Sequence, residues 1–223
     1  MTADEPSRAL TLTDAWPLFG LHIRSARLVL RLPTDDELVG LIGVARSGVH
    51  APDEMPFEVP WTDKASPAFE REFLQYHWTL RGAWAVDAWV LELGVFLDGA
   101  IIGAQTARGT RFSTFRTVDT GSWLARSVQG RGLGKEMRSA MLAFAFDGLE
   151  ARFATSGAFA DNDRSNGVSR SLGYELNGWD ELAPRGVARA HVRYRMSAEA
   201  LRAVPRPDVT VSGLEACREM FGA

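Results

Sequence analysis

The residues most suited to chemistry form a glycine-rich segment, residues 129–134, with the sequence QGRGLG. Glycine adopts positive φ and lets main-chain amides approach a ligand that a side chain would obstruct. Behind the segment, Leu133, Met137 and Met141 lie about one turn apart, which predicts a helix with one buried face up to Gly148. The segment then occupies the first turn of that helix, where free N–H groups and the helix dipole favour an anion such as a pyrophosphate.

Known kinds of anion-binding loop can be compared with this segment. A Walker loop needs a glycine and a serine or threonine at the positions that Gln129 and Glu136 hold. A dinucleotide-binding loop needs its third glycine where Lys135 or Met137 stands. The pattern [Gln/Arg]-x-x-Gly-x-[Gly/Ala] does fit, and the segment therefore resembles the acyl-CoA pyrophosphate loop of the GNAT acyltransferase superfamily.

A second block, residues 162–174, resembles another part of the same superfamily. Its sequence NDRSNGVSRSLGY fits Asn-x-x-Ser-x-x-Val-x-x-x-Leu-Gly-[Phe/Tyr] at every defining position. GSWL at residues 121–124 is similar to the Gly-Tyr-Trp-Leu of the RimJ/RimL-like branch, and RLVLRLPTDDEL at residues 27–38 is similar to its opening. The chain is thus identified as a member of that branch over about residues 27–196.

The resemblance implies an α/β (α+β) architecture, the GNAT fold. We expect a mixed central sheet of about seven strands with helices on both faces. Two parallel strands should splay apart at a bulge and bind CoA between them. Residues 1–223 are expected to form one domain, in which residues 197–223 are a C-terminal extension.

The resemblance also implies an acyl-CoA cofactor and no metal. Acetyl-CoA is the simplest donor, and succinyl-CoA is an alternative because some relatives accept it. Main-chain groups of Leu124 and Arg126 would pair with the pantetheine arm. Asn162 would reach the same arm while capping a helix, and Ser165 and Ser169, one turn apart, would face the thioester.

The pyrophosphate would be held by amides of the glycine-rich loop, with charge from Arg131 or Lys135. The residues predicted to hold it are Gln129, Gly130, Arg131, Gly132, Leu133, Gly134 and Lys135.

Transfer to an amine requires a group that removes the amine proton and a group that protonates the departing thiolate. The family's usual glutamate corresponds to Asp119, which we expect to act as the base through water, and Glu92 is the next candidate. Ser165 is the candidate acid, because Tyr174 stands where relatives have a core aromatic residue. A covalent route through Cys217 is not expected, since it lies outside the matched region.

The insert, residues 47–67, contains three prolines and no periodic pattern. One interpretation is a surface loop anchored by aromatic residues, and the other is a wall of the acceptor site. On the second interpretation Glu54, Phe57 and Trp61 are substrate-binding residues.

Apolar periodicity predicts the elements that position these residues. A loosely packed start around Trp16, Leu18 and Phe19 covers residues 1–26. A helix capped at Ser66, with Pro67 at its first position, is expected over residues 66–83. The other predicted elements are strands at 27–32, 89–97, 100–106, 117–126, 152–159, after 174, at 187–196 and at 209–211, and helices at 33–46 and 163–172.

Composition limits the function classes. A net charge of −3 and a pI near 5.8 argue against a nucleic-acid partner. No apolar run is long enough to cross a membrane, and residues 1–10 lack the features of a signal peptide. With its single cysteine, Cys217, the chain is expected to be cytoplasmic, and 23 arginines among 25 basic residues suggest a bacterial source.

The leading hypothesis is an acyl-CoA-dependent N-acyltransferase, in which an amine attacks the thioester directly in a ternary complex. The acceptor would be a small molecule, a protein N-terminus or a lysine, and a homo-oligomer is left open. One alternative is a succinyl-CoA-dependent transferase, with Arg46, Arg81 or an arginine of residues 187–196 binding the terminal carboxylate. The other is a catalytically silent sensor of acyl-CoA.

Overall fold

A computed structural model describes residues 9–223. Residues 1–8, the first part of the start predicted for residues 1–26, lie outside the described residues. The remainder of that start packs as expected, since Leu18 is buried and both Trp16 and Phe19 contact the core.

The described residues form a sheet of nine strands. The strands are β1 (His22–Arg24), β2 (Leu28–Arg31), β3 (Ala88–Leu97), β4 (Ala100–Thr110), β5 (Thr117–Leu124), β6 (Phe153–Phe159), β7 (Glu175–Leu182), β8 (Arg189–Ser197) and β9 (Thr210–Ser212). Their order across the sheet is β7-β8-β6-β5-β4-β3-β2-β1-β9. All neighbouring strands are antiparallel except β5 and β6, which are parallel.

Helices connect these strands. The α-helices are α1 (Leu12–Ala15), α2 (Asp35–Arg46), α3 (Ala68–Gly82), α4 (Phe112–Phe115), α5 (Leu133–Ala143), α6 (Asp163–Ser171) and α7 (Ala198–Arg202). A π-helical turn, Phe144–Gly148, continues α5. Short 3₁₀ turns occupy Pro17–Gly20, Trp61–Asp63, Arg126–Val128, Pro184–Gly186 and Arg218–Phe221.

The mixed sheet confirms the expected fold class, and it is wider than about seven strands. β9 corresponds to the strand predicted at residues 209–211. β1 is not predicted by the sequence, because the residues around it show no periodic apolar pattern. These two strands pair with each other, Ile23 opposite Val211, and extend the sheet beyond β2.

The start of α3 differs from its prediction. Pro67 is the N-cap rather than the first helical residue, and no side chain caps the helix. The Ser66 hydroxyl donates to Glu70 Oε1 at 2.7 Å instead of accepting a helix N–H. A charge-assisted bond to a carboxylate is stronger than a neutral cap, which explains the change of partner.

Helices cover both faces of the sheet. Leu124 of β5 belongs to the core cluster that contains α5 and the α6 residue Val168. Its neighbour Trp123 packs on the cluster built from α2 and α3. Because successive strand residues point to opposite faces, the sheet has an α5–α6 face and an α2–α3 face.

The parallel strands β5 and β6 separate partway along their length. Their pairing runs from Thr117 opposite Phe153 to Thr120 opposite Ser156. Beyond that row, β5 stays paired with β4 as far as Leu124, and β6 stays paired with β8. The register of β5 against β4 is continuous over these residues, so the expected bulge does not cause the separation. We call the gap beyond this last paired row the opening.

Within residues 9–223, no helix combines the length and apolar character that a membrane crossing requires.

Candidate active site

The glycine-rich loop presents an uncapped helix terminus. Gly130 and Gly132 have φ of 75° and 77°, and Gly132 is the N-cap of α5 without any side-chain cap bond. A Cβ built on Gly134 meets nothing within 4 Å, so no protein contact explains the glycine there. The first-turn amides therefore face open space, and the loop fits an anionic group such as a pyrophosphate.

Gln129 shapes this loop from within the protein. Its Nε2 donates to the main-chain oxygens of Val49 at 2.8 Å and Leu124 at 2.9 Å. Its Oε1 accepts a bond from Arg164 at 3.1 Å. The side chain thus joins the insert, β5 and α6, which gives this motif residue a structural role.

Glu136 attaches the loop to the first strands of the sheet. Its carboxylate accepts bonds from Ser25 Oγ and from Arg27 N, both at 2.8 Å, and Arg27 Nη1 reaches Arg131 O at 3.2 Å. Burial works to raise the pKa of Glu136, but the bonds from Ser25 and Arg27 outweigh it and lower the pKa. This anchor is not among the residues predicted from the sequence, although a glutamate in the first turn of the loop helix indicates it.

The main chain of β5 meets the opening at Leu124. Ala125 N donates to Ile102 O on β4 at 2.8 Å, so the alternation of an antiparallel strand directs the Leu124 main chain toward the opening. The amide of Arg126 instead donates to Gly48 O in the insert at 2.9 Å. Leu124 therefore lies where the sequence predicts, whereas Arg126 uses its amide to hold the insert.

Helix α6 follows β6, and the hydroxyls of Ser165 and Ser169 are directed toward α5. Asn162 caps α6, accepting a bond from Ser165 N at 3.1 Å. Ser165 and Ser169 share a face as predicted, and both contact Arg138 of α5. Tyr174 is 5% exposed, so the prediction that it packs in the core is confirmed.

Glu92 lies on the α2–α3 face at the level of the opening. Glu92 of β3 pairs with Thr106 of β4, and Thr106 pairs with Gly121 of β5. Gly121 is the first β5 residue beyond the last row that pairs with β6. Thr106 Oγ1 donates to Glu92 Oε2 at 2.5 Å. Burial raises the pKa of Glu92 to about 7, against the lowering effect of Thr106 and the charge of Arg108.

Asp119 lies on the same face, two residues before Gly121. Thr155 Oγ1 donates to its carboxylate at 2.8 Å, and Arg108 is 3.9 Å away. Burial raises the pKa of Asp119, while Thr155 and Arg108 lower it. Because the side chain is 51% exposed, solvent screens these effects, and Glu92 is the more strongly perturbed carboxylate.

An open cleft of about 550 Å³ begins at Asp119 and runs over the paired segment of β5 and β6. Arg108, Arg152 and Arg195 line it together with aromatic side chains such as Phe153. Since three arginines surround one aspartate, the cleft is positively charged.

The insert lies on the α2–α3 face. Phe57 and Trp61 pack at a tilt with ring centroids 5.1 Å apart, and the Trp61 ring centroid lies 5.5 Å from that of Trp123 of β5. Arg189 of β8 donates to Met55 O at 2.6 Å. The insert therefore spans from β5 to β8 next to the opening.

The two glutamates of the insert differ in position. Glu54 is exposed and closes a local turn by accepting a bond from Ala51 N at 3.2 Å. Glu58 instead lies 3.7 Å from His191 Nε2 of β8. The predicted substrate residue Glu54 is thus in a turn, and Glu58 is the glutamate that meets the sheet.

His191 is a candidate that the sequence analysis did not single out. It is 7% exposed, and its Nδ1 is buried without a hydrogen-bond partner among the described residues. Its ring lies against Gly157 of β6, where an added Cβ would be 2.3 Å from Cε1. The feature of the sequence that could have indicated His191 is its position as a histidine among arginines on the polar side of an alternating strand.

Cys217 does not take part in this arrangement. It is buried beneath the C-terminal turn, and burial raises the pKa of its thiol to about 11. Among the described residues, no group of three or more His, Cys, Asp or Glu side chains is arranged to hold a metal ion.

A parallel strand pair that opens beside an uncapped, glycine-lined helix defines the class of acyl-CoA-binding transferases. The comparison with known families agrees, because the family described as acetyltransferase (GNAT) domain matches residues 27–175. The chain belongs to the GNAT acetyltransferase family, and the protein is an acyl-CoA-dependent acetyltransferase.

Solved structures of low sequence identity share the fold. RimJ of Mycobacterium smegmatis, in complex with CoA-disulfide, has 16% identity and a TM-score of 0.62, covering 89% of this chain and 91% of its own. RimL, a ribosomal L7/L12 alpha-N-protein acetyltransferase in complex with CoA, has 17% identity and a TM-score of 0.59, with coverages of 79% and 97%. The ribosomal-protein-S5-alanine acetyltransferase of Vibrio fischeri has 19% identity and a TM-score of 0.60, with coverages of 79% and 96%.

Proposed function

We propose that the protein transfers an acetyl group from acetyl-CoA to a primary amine, with Glu92 as the general base. The observation that carries this proposal is a buried carboxylate whose pKa is raised to about 7, facing the α2–α3 side of the opening. Such a carboxylate is poised to accept a proton near neutral pH.

The donor would bind along the α5–α6 side. Acetyl-CoA supplies an activated thioester. The amides of Leu133, Gly134 and Lys135 would hold its pyrophosphate, and the Leu124 main chain and Asn162 side chain would hold its pantetheine arm. Ser165 and Ser169 would lie at the thioester end, with Ser165 donating a hydrogen bond to the departing sulfur.

Glu92 suits the base role better than Asp119, the first candidate from the sequence. An α-amine has a pKa near ~8 and a lysine near ~10.4, so the amine must lose a proton before it attacks. Thr106 Oγ1, already bonded to Glu92, lies across from Gly121, where no side chain blocks the way. The amine proton would pass to Glu92 directly or through this hydroxyl. Asp119 is bonded to Thr155 below the opening and is half exposed.

The amine would approach from the α2–α3 face. The insert borders this approach, with Phe57 and Trp61 fixed against Trp123 and Glu58 beside His191. The acceptor would be a small-molecule amine, a protein N-terminus or a lysine. Structural relatives whose names specify ribosomal proteins support a protein N-terminus in the cytoplasm as the first acceptor to test.

The alternatives have less support. Two arginines considered for a succinyl carboxylate already have carboxylate partners: Arg46 pairs with Glu70 and Arg81 with Asp35. A sensor would be favoured by an apolar, blocked acceptor side, whereas this side carries the buried carboxylate Glu92, whose raised pKa suits it to accept a proton.

A CoA-release assay would test the proposal. Acetyl-CoA and succinyl-CoA would be crossed with N-terminal peptides, lysine-containing peptides blocked at the N-terminus, and small amines. We expect release above the hydrolysis background only with acetyl-CoA and a free amine, confirmed by the mass of the acetylated acceptor. Tight CoA binding without transfer to any acceptor would favour the sensor, and preference for succinyl-CoA would favour the other transferase.

A further inference from the structure

Arg138 of α5 is a buried cation without a carboxylate partner. The residue is 5% exposed. It forms no ion pair with any carboxylate in residues 9–223. Surface arginines such as Arg189, by contrast, pair with aspartates. Taking a guanidinium out of water is costly unless charges or strong acceptors compensate it, so its position calls for a physical reason.

The acceptors of Arg138 are two hydroxyls of α6. Its Nη1 donates to Ser169 Oγ at 2.8 Å, and its Nη2 is 3.4 Å from Ser165 Oγ. Burial lowers the pKa of Arg138, and the nearby Tyr174 hydroxyl opposes that effect. Neutral hydroxyls compensate a buried charge only in part, because they accept its hydrogen bonds but bring no opposite charge.

The location of this cluster connects it with the opening. The Tyr174 hydroxyl is 3.3 Å from Thr120 Oγ1, and Thr120 belongs to the last row that pairs β5 with β6. Arg138 therefore lies on the α5–α6 side, close to where the strands begin to separate. Tyr174 is the titratable group that faces it, and the carboxylates Glu92 and Asp119 belong to the opposite face.

We propose that Arg138 stabilises the negative charge that develops on the CoA sulfur, acting through Ser165 as a positioning residue. This inference rests on the proposed function. During transfer, the amine nitrogen bonds to the acyl carbon, the carbon–sulfur bond breaks, and its electron pair passes to sulfur. The amine proton goes to Glu92. Ser165 keeps its proton and donates a hydrogen bond to sulfur, while its oxygen accepts from Arg138.

The charge on Arg138 strengthens this hydrogen bond. A hydroxyl whose oxygen accepts from a cation becomes a better donor, because consecutive hydrogen bonds polarise one another. The arrangement is fixed before the reaction, so no reorganisation is needed when charge appears on sulfur. A thiolate held this way should have a lower pKa than an ordinary thiol, whose value is about 8.5.

The experiment measures the thiol pKa of CoA bound to the protein, from thiolate ultraviolet absorbance as a function of pH. Wild type, Arg138→Met, Arg138→Lys and Ser165→Ala would be compared. Arg170→Met serves as the matched control, since Arg170 is an exposed arginine of α6. Calorimetry would first establish CoA binding and saturation for each variant.

We expect the wild-type protein to lower the pKa of the bound thiol by about one unit, a tenfold change in thiolate fraction. Arg138→Met and Ser165→Ala should return it to within a few tenths of a unit of free CoA. Arg138→Lys should give an intermediate value, and Arg170→Met should match wild type.

The outcomes separate this inference from the proposed function. If wild type binds CoA but leaves the thiol pKa at its free value, the inference is wrong while acetyl transfer can still stand. A purely structural role would lower the melting temperature of Arg138→Met without moving the thiol pKa, which also overturns it. If wild type does not bind CoA at all, the proposed function fails first. If Arg138→Met folds poorly, Arg138→Lys and Ser165→Ala still decide the question, because a wild-type thiol pKa retained in both would overturn the inference.

Discussion

The two sides of the opening differ in the charges that they present. On the α5–α6 side, the residues nearest the opening are amides, hydroxyls and the cation Arg138. On the α2–α3 side are the carboxylates Glu92 and Asp119. The first set can stabilise negative charge on a phosphate or a sulfur, and the second can accept protons. The difference suggests that donor binding and acceptor activation are assigned to opposite faces of one sheet.

Substitutions in the glycine-rich loop should have the largest effect among the tests of this assignment of donor and acceptor to opposite faces. Gly134→Val should abolish measurable CoA binding, at least a hundredfold loss, since its side chain would fill the space over the first-turn amides. The fold should remain, because nothing lies within 4 Å of a Cβ there. Gly132→Val should also abolish binding, at some cost in stability, because its φ of 77° disfavours a β-branched residue.

Gly43→Val is the matched control for the loop variants. Gly43 is also a helical glycine with nothing within 4 Å of a Cβ, but it lies on α2. Calorimetry should show its CoA affinity unchanged. Affinity within threefold of wild type for both loop variants would contradict the assignment of the donor to this side.

Glu92→Gln should stabilise the protein at alkaline pH. The pKa of Glu92 in the folded state is about 7, above the ordinary value, so the folded state binds its proton more tightly than the unfolded state does. This stabilisation is present at pH below ~4.3 and is lost as pH rises through about 7, amounting to roughly 4 kcal/mol. Glutamine does not titrate. The free energy of unfolding of Glu92→Gln should therefore exceed that of wild type by up to this amount at pH 8 and by little at pH 5.

The stability measurement needs two further comparisons. Buried His77 has a pKa lowered to about 4 by burial and by the charge of Arg81, so its contribution is lost as pH falls from ~6.5 toward 4. In wild type, the effect of His77 on the pH dependence of stability opposes that of Glu92. Because His77 is present in both proteins, subtracting the wild-type free energy of unfolding from that of Glu92→Gln at each pH removes its contribution. Asp119→Asn should change the profile much less, because Asp119 is half exposed. Equal profiles for Glu92→Gln and wild type would show that Glu92 is not a strongly perturbed group.

The insert provides the next test. Trp61→Ala should raise the acceptor KM about tenfold and leave the Kd for CoA unchanged, since its ring joins the insert to Trp123. Melting temperature should fall as well, because truncating a packed aromatic residue typically costs a few kcal/mol. Steady-state kinetics and calorimetry on the same preparation would separate the two constants.

Glu54→Ala has the smallest expected effect and is the comparison for Trp61→Ala. Glu54 closes a local turn, so its loss should change the acceptor KM by less than about twofold. A larger effect would restore it as a substrate-binding residue. If Trp61→Ala weakened CoA binding instead of the acceptor KM, the insert would belong to the donor side.

The residues proposed for the donor side could be picked out from the sequence because they lie in contiguous motifs. The loop glycines precede α5, and Asn162 caps the helix that carries Ser165 and Ser169. The fold class follows from the same motifs. The longer helices and strands follow from periodicity, whereas the short elements α1, β1, α4 and α7 are not predicted.

The acceptor side could not be predicted to the same extent, since it is assembled from segments far apart in the chain. Glu58 meets His191, and Met55 O meets Arg189, across more than a hundred residues. The pKa of Glu92 depends on how deeply α3 buries it, which periodicity does not reveal. Arg138 is likewise one arginine among 23 in the sequence, and only its burial distinguishes it.

The most direct test of the central claim is the pH dependence of kcat/KM for an N-terminal amine acceptor, which reports the ionisations of free enzyme and free acceptor. Wild type should lose activity below pH about 7, where Glu92 becomes protonated. Glu92→Gln should lower kcat/KM by about 10²-fold or more. The loss of activity below about pH 7, which is the acid limb of the pH profile, should disappear in this variant, leaving only the titration of the amine. Asp119→Asn should keep the limb with less than about a tenfold loss. The account would be contradicted if Asp119→Asn removed the limb while Glu92→Gln retained it.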